Sequence, residues 1–265
     1  MTRFSWPANG TSLFRACCSD AGPSTGPQAR RSGSAELFRL EVDGRPTYSF
    51  AMNRDETFHE KLLNALTHGL GVVLSIGAGT VLITLVAIYA GVREIVSVSI
   101  FVVSLTLLYT ASTLYHAVGH PVWKARLKIF DHCAIFLLIA GTYTPFTIAV
   151  LKGGWGWSLF GIIWGLAVVG VVLKIFFTGR YRVLSTAIYI GMGWLVLIAL
   201  VPLSQALTTT AMVWLIVGGV LYTGGTLFYH FERMPFSHAI WHLFVLAGSI
   251  CHFVAVTVQM LPVNG

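Results

Sequence analysis

The chain has 265 residues, of which 55% are hydrophobic and 10% charged, with a formal net charge of +7. A water-soluble domain with that much apolar surface and so few charges would not stay in solution, so composition excludes an ordinary soluble enzyme and points to a membrane protein. Nor does the positive charge indicate nucleic-acid binding, because within the apolar part it gathers in short loops, where anionic lipid head groups are the simpler contact.

The first fifty or so residues intersperse Pro, Gly, Ser and Arg without a continuous apolar run. They hold no h-region long enough for a secretory signal and are expected to be disordered. Downstream, seven apolar stretches of about 20 residues, near 66–89, 95–116, 131–151, 155–176, 184–203, 211–230 and 238–260, are each long enough to cross the hydrocarbon layer as a helix. The connections carry chain breakers, among them Gly91, Pro121, Gly153, Gly154, Gly179 and Pro235. Trp123, Trp155, Trp157, Tyr181 and Trp241 fall near the ends of spans, where aromatic rings anchor at the interface. The predicted fold class is all-α, a seven-helix transmembrane bundle.

Basic residues set its orientation. Lys124, Arg126, Lys128, Lys174, Arg180, Arg182 and Arg233 lie in or beside the second, fourth and sixth connections, against Arg93 and Lys152 at the odd ones. By the positive-inside rule the even connections face the cytoplasm, which puts the amino terminus inside and the carboxyl terminus outside.

From Leu62 onward the acidic residues are Glu94, Asp131 and Glu232, so a carboxylate at Asp131, beside an apolar span, calls for a reason. The predicted topology brings Asp131 to the same side as Ser112 and His116 at the end of span 2 and His238 and His242 at the start of span 7. Within each pair the spacing of four places both side chains on one helical face. Three imidazoles and a carboxylate could thus meet at one point on the cytoplasmic side. Three neutral histidines with an open fourth position are the usual catalytic zinc arrangement, and zinc is the expected cofactor. Asp131 would then orient a water or take its proton, and Ser112 would donate a hydrogen bond rather than act as nucleophile, since no base is dedicated to it. There is no HExxH pattern. Against this stands the plainer reading that helix-end histidines and serines simply meet water, and spacing by itself does not establish convergence.

Glu60, Asn64 and His68 share one face at the start of span 1, where they form either a layer of groups behind the metal ligands or a helix cap. His132 lies about 100° around the helix from Asp131 and is expected to point elsewhere. His230 is expected at the interface. His252 is too far along its helix from His242 to share a metal and is expected to make a buried hydrogen bond. Pro145 should kink span 3, with Thr142 and Thr144 near the freed carbonyls. Gly161 and Gly165 on span 4, and Gly218, Gly219, Gly224 and Gly225 on span 6, give small-residue faces for close helix approach, within one chain or between chains. Cys17, Cys18, Cys133 and Cys251 form no metal-binding pair and no disulfide framework.

The stretches Ala111-Ser112-Thr113-Leu114-Tyr115-His116, Phe130-Asp131-His132-Cys133-Ala134-Ile135 and Ser237-His238-Ala239-Ile240-Trp241-His242 resemble those of hemolysin III family proteins, bacterial relatives of the progestin and adipoQ receptors. Asn64-Ala65-Leu66-Thr67-His68-Gly69, Ala140-Gly141-Thr142-Tyr143-Thr144-Pro145-Phe146 and Gly191-Met192-Gly193-Trp194 are similar too, so the likeness runs from about residue 55 to the end. The resemblance implies a seven-helix protein of the bacterial inner membrane with its amino terminus in the cytoplasm. It also implies a zinc held by His116, His238 and His242, a water held by Asp131, and Ser112 beside it. Because the likeness begins just after Met52, residues 1–51 are expected to be a variable tail or a non-native extension, and 52–265 the membrane domain.

The resemblance leaves the reaction open. The family name refers to cell lysis, the receptor relatives look like zinc-dependent lipid amidases, and a wider superfamily with the same Ser, Asp and His pattern includes alkaline ceramidases. Two readings therefore stand side by side. One is a zinc-dependent hydrolase of a lipid amide or ester. The other is a cytolytic or membrane-homeostasis protein in which zinc is structural. Membrane lipids are the expected partners in both, and the oligomeric state is open.

Overall fold

Among the described residues seven runs satisfy the length and apolarity needed to cross a bilayer, and all are helical in the computed structural model: Phe58–Tyr89, Val92–Ala117, Pro121–Leu151, Gly153–Phe177, Arg182–Ala206, Thr209–His230 and Ser237–Met260. The structure describes residues 57–231 and 233–261, and the backbone pairing of 38–42 with 45–49. The latter is a hairpin in which β1 (Phe38–Val42) and β2 (Arg45–Ser49) run antiparallel with Phe38 opposite Ser49. It lies in the segment expected to lack fixed structure; the rest of residues 1–51 is outside the described residues.

Two spans start earlier than hydropathy predicts. Helix α1 (Phe58–Tyr89) opens on a capping box: Thr57 Oγ1 accepts from Glu60 N at 3.3 Å, and Thr57 N donates to Glu60 Oε2 at 2.8 Å. Helix α3 (Pro121–Thr144) opens with Pro121 in its first turn, where a missing N–H costs nothing, and its first turns carry Lys124, Arg126 and Lys128. Asp131, expected at the start of its span, therefore sits nearly three turns inside a helix whose polar beginning extends past the apolar stretch.

Pro145 removes one backbone donor, and the helix answers by widening rather than by stopping: Pro145–Leu151 continues α3 as π-helix. Thr142 and Thr144 hydroxyls donate to Leu138 O (2.8 Å) and Ala140 O (2.9 Å), and Trp164 Nε1 donates to Thr144 Oγ1 at 3.1 Å. After α4 (Gly153–Phe177) the fifth span is broken, running as α5 (Arg182–Gly193), a 3₁₀ stretch (Trp194–Ala199) and α6 (Leu200–Ala206). Tyr143 reaches across to this break. Its hydroxyl donates to Gly193 O at 2.8 Å, with Met192 O at 2.9 Å, and accepts from Val196 N at 2.8 Å. One phenol thus satisfies backbone groups that the change of helix type would otherwise leave bare in an apolar setting.

Helices α1 and α2 (Val92–Ala117) pack together, α2 packs on α3 and α3 on α4, while α7 (Thr209–His230) and α8 (Ser237–Met260) pair closely and α8 returns to α1. One core cluster includes Phe101, Leu105, Tyr109, Val245 and Val256, and a second joins Phe136, Ile163, Ala167 and Met192. The outward faces are apolar as well, with Val73, Val81, Val168, Val172, Ile198 and Val201 all exposed, as befits a surface that meets lipid. The small-residue faces divide. Gly218 and Gly225 lie directly against His252, Phe244 and Trp241 of α8, whereas Gly161 and Gly165 have no neighbour within 4 Å and open outward.

A cavity of about 650 Å³ runs along α3 from Lys128 to Leu151 and is enclosed by residues of α2, α5, α7 and α8 as well. Its far end is apolar, and its other end holds the polar residues singled out above.

Candidate metal centre

His116 lies in the last turn of α2 and His238 and His242 in the first turns of α8, so three imidazoles from two helix termini meet at one end of the bundle. One ligand nitrogen from each lies within 4.8 Å of the other two, and the group could hold a metal ion. Ring centroids are 4.9 Å apart for His116 and His238, 5.0 Å for His116 and His242, and 4.5 Å for His238 and His242. A tetrahedral zinc would need nitrogens roughly 3.3 Å apart, which follows from its Zn–N bond lengths, so the three rings would close in on a bound ion.

The surroundings fit an ion. Both nitrogens of His116 are buried and lack a hydrogen-bond partner among the described residues, a state that costs about 1–3 kcal/mol for each buried polar atom unless something else engages it. His242 is held from behind. Its Nδ1–H is shared between Asn64 O and Thr67 Oγ1, each at 3.2 Å, and Thr67 spends its own proton on Leu63 O at 2.9 Å. That arrangement assigns the proton to Nδ1 and leaves the Nε2 lone pair available to a metal. His68 stacks on His242 with centroids 3.5 Å apart and planes 15° apart, and its edge meets Tyr109.

Glu60 caps α1 and also reaches the start of α8. Its Oε2 closes the α1 cap, and its Oε1 accepts from Phe236 N at 3.1 Å, two residues before His238. Phe236 has a positive φ of 59°, an unfavourable conformation for a residue with a side chain, and the Glu60 bond helps hold the turn that launches α8.

Asp131 and Ser112 line the same cavity as the three histidines, but the Asp131 carboxylate is outside the 4.8 Å group. Ser112 Oγ is buried and has no hydrogen-bond partner among the described residues. His132, expected to point away, lines the cavity too: Nδ1–H donates to Lys128 O at 2.7 Å and Nδ1 is 3.7 Å from Asp131 Oδ2. Helical side chains lean toward the preceding turn, and that tilt brings the ring back over α3. His230 Nε2 meets Thr186 Oγ1 at 3.2 Å, and His252 Nε2 donates to Leu215 O at 3.1 Å, the buried bond expected of it. Thr67 was not singled out from the sequence for any role. Its one signal is its place beside His68, three residues after Asn64.

A model described as "Haemolysin-III related" matches residues 56–253. The "Hemolysin-3 homolog" of Bacillus subtilis (strain 168) is 50% identical over 200 residues, covering 76% of this chain and 94% of that protein. "Hemolysin-3" of Bacillus cereus is 46% identical over 203 residues, 77% and 93% of the two chains. The human "Monocyte to macrophage differentiation factor" is 27% identical over 209 residues, covering 76% and 84%.

Proposed function

Given that the chain belongs to the hemolysin III family of multi-pass cell-membrane proteins, we propose that it is a zinc-dependent hydrolase of a membrane lipid amide or ester, with its histidine cluster toward the cytoplasm and its amino terminus inside. The observation that carries this reading is that three imidazoles converge while the nearby carboxylate stays out of their group, so that a metal would keep a position open toward the cavity. Orientation rests on the basic residues gathered at the histidine end.

His116, His238 and His242 would hold the ion, and Asn64 O and Thr67 Oγ1 engage His242 Nδ1–H, which leaves its other nitrogen for that role. Bound there, zinc supplies Lewis acidity toward a carbonyl oxygen and toward water. Asp131 takes the proton of the attacking water on a carboxylate oxygen and returns it to the leaving nitrogen or oxygen as the scissile bond breaks. Ser112 Oγ–H donates to the carbonyl oxygen as negative charge collects there. The apolar length of the cavity takes the acyl chain and excludes bulk water.

Elemental analysis of the full chain purified in detergent, beside turnover on a panel of lipid amides and esters, tests the reading. About one zinc per chain is expected, lost in His116→Ala, His238→Ala and His242→Ala. Asp131→Asn should keep the metal and the melting temperature while fatty-acid release falls by about 10²–10⁴. A metal-free, folded protein, or an Asp131→Asn variant with full turnover, overturns it. If Asp131→Asn loses metal and stability together, the ion is a structural clamp between α2, α3 and α8 instead.

A further inference from the structure

The histidine end of the cavity is also lined by cations from three helices, Lys128 of α3, Lys174 of α4 and Arg182 of α5. Basic residues that serve only to orient a membrane protein turn outward to water and head groups, as exposed Arg126 does above the Trp123 ring. Lys174 does the opposite. It is 5% exposed, its ammonium donates to the neutral Ser185 hydroxyl at 2.7 Å, and the Tyr189 ring centroid is 5.8 Å away. Among the described residues no carboxylate pairs with Lys174; Asp131, three residues after Lys128 on α3, lines the same cavity and is in ion contact with His132. The inward ammonium of Lys174, with no carboxylate partner among the described residues, is costly at a membrane-spanning helix, which argues for an anion that the protein takes up from outside.

Two further features suit such an anion. Helix α5 begins beside the cavity, with Gly179 just before it and Arg182 in its first turn among the lining residues. The Arg182 guanidinium is fixed against Tyr229, stacked 4.1 Å from the ring centroid and donating to Tyr229 O. Cationic donors from three helices match the several acceptor oxygens of a phosphate better than a single carboxylate. Beyond them the cavity turns apolar along Ile139, Phe146, Leu151, Val196 and Leu200.

We propose that Lys128, Lys174 and Arg182 form a head-group subsite that binds the phosphate of an anionic acyl lipid, whose chain lies in the apolar part of the cavity. That this lipid is also the substrate rests on the hydrolase reading; its binding does not.

The test uses the full chain as purified in dodecyl maltoside, titrated with dodecyl phosphate or inorganic phosphate, with and without EDTA, and followed by isothermal titration. Dodecyl phosphate is expected to bind at least about tenfold tighter than inorganic phosphate and to do so in EDTA as well. Lys174→Gln and Lys128→Gln should each weaken it about ten- to a hundredfold, the size expected for a lost charge-assisted bond, while Arg126→Gln leaves it unchanged. Lys128→Gln decides the matter if Lys174→Gln does not fold. Unchanged binding in both variants, or loss of binding in EDTA, overturns the subsite. Equal affinity for inorganic phosphate overturns the lipid and assigns the site to the free anion. A hydrolase reading refuted through Asp131→Asn leaves these outcomes standing, so the two failures are told apart.

Discussion

Replacing Thr67 by Val keeps shape and β-branching and removes one hydroxyl, and with it the 3.2 Å bond that His242 Nδ1–H makes to Thr67 Oγ1 and the hydroxyl's own bond to its helix at Leu63 O. Groups that orient a metal-bound histidine from behind typically contribute 10- to 100-fold in metal affinity, roughly 1.4–2.8 kcal/mol. Here Asn64 O, also at 3.2 Å, continues to accept the same proton, so the expected loss is at the lower end, about tenfold. Competition of the metal-free protein against a chromogenic zinc chelator measures it. Thr84→Val on the same helix is the control, since Thr84 Oγ1 bonds only its own helix, to Thr80 O at 2.8 Å, and its loss should leave affinity within error. A change below about twofold in Thr67→Val, or an equal change in both variants, refutes the claim that Thr67 supports His242 from behind as a metal ligand.

Tyr143→Phe strips three backbone groups, Met192 O, Gly193 O and Val196 N, of a shared partner at the break in the fifth span, and should destabilise the bundle by about 1–3 kcal/mol in chemical or thermal unfolding. An unchanged unfolding midpoint would mean that the break satisfies itself. Gly225→Leu drives a side chain into Phe244 and Trp241 and should cost about 1–3 kcal/mol or more, whereas Gly161→Leu, with nothing within 4 Å, should leave the unfolding midpoint where it is. Equal effects in the two glycine variants would contradict the packing of α7 on α8 described here.

Some of what the chain does was legible residue by residue. The pairs Ser112 with His116 and His238 with His242 declare a common face by their spacing, and all four line one cavity. The beginnings of α1 and α3 were misjudged because hydropathy registers only apolar length. Their start signals, Thr57 with Glu60 three residues on and Pro121, lie in polar sequence outside that measure. His132 was misjudged because a helical wheel gives the direction of Cβ and not the tilt of the ring beyond it. Thr67 was not legible in this way, since its partner lies 175 residues away in sequence.

Membrane insertion is close to a sum over residues, so the number of spans and their approximate limits follow from the amino acids taken one at a time. The interior of the bundle obeys no such sum. Whether His116 meets His242, whether Glu60 reaches Phe236, and whether Lys174 turns inward or out depend on how each helix is rotated against its neighbours. That rotation is set by packing between residues far apart in the chain, such as Gly225 against Trp241 and Phe244 and Tyr143 against the broken fifth span, and it appears only when the helices are assembled.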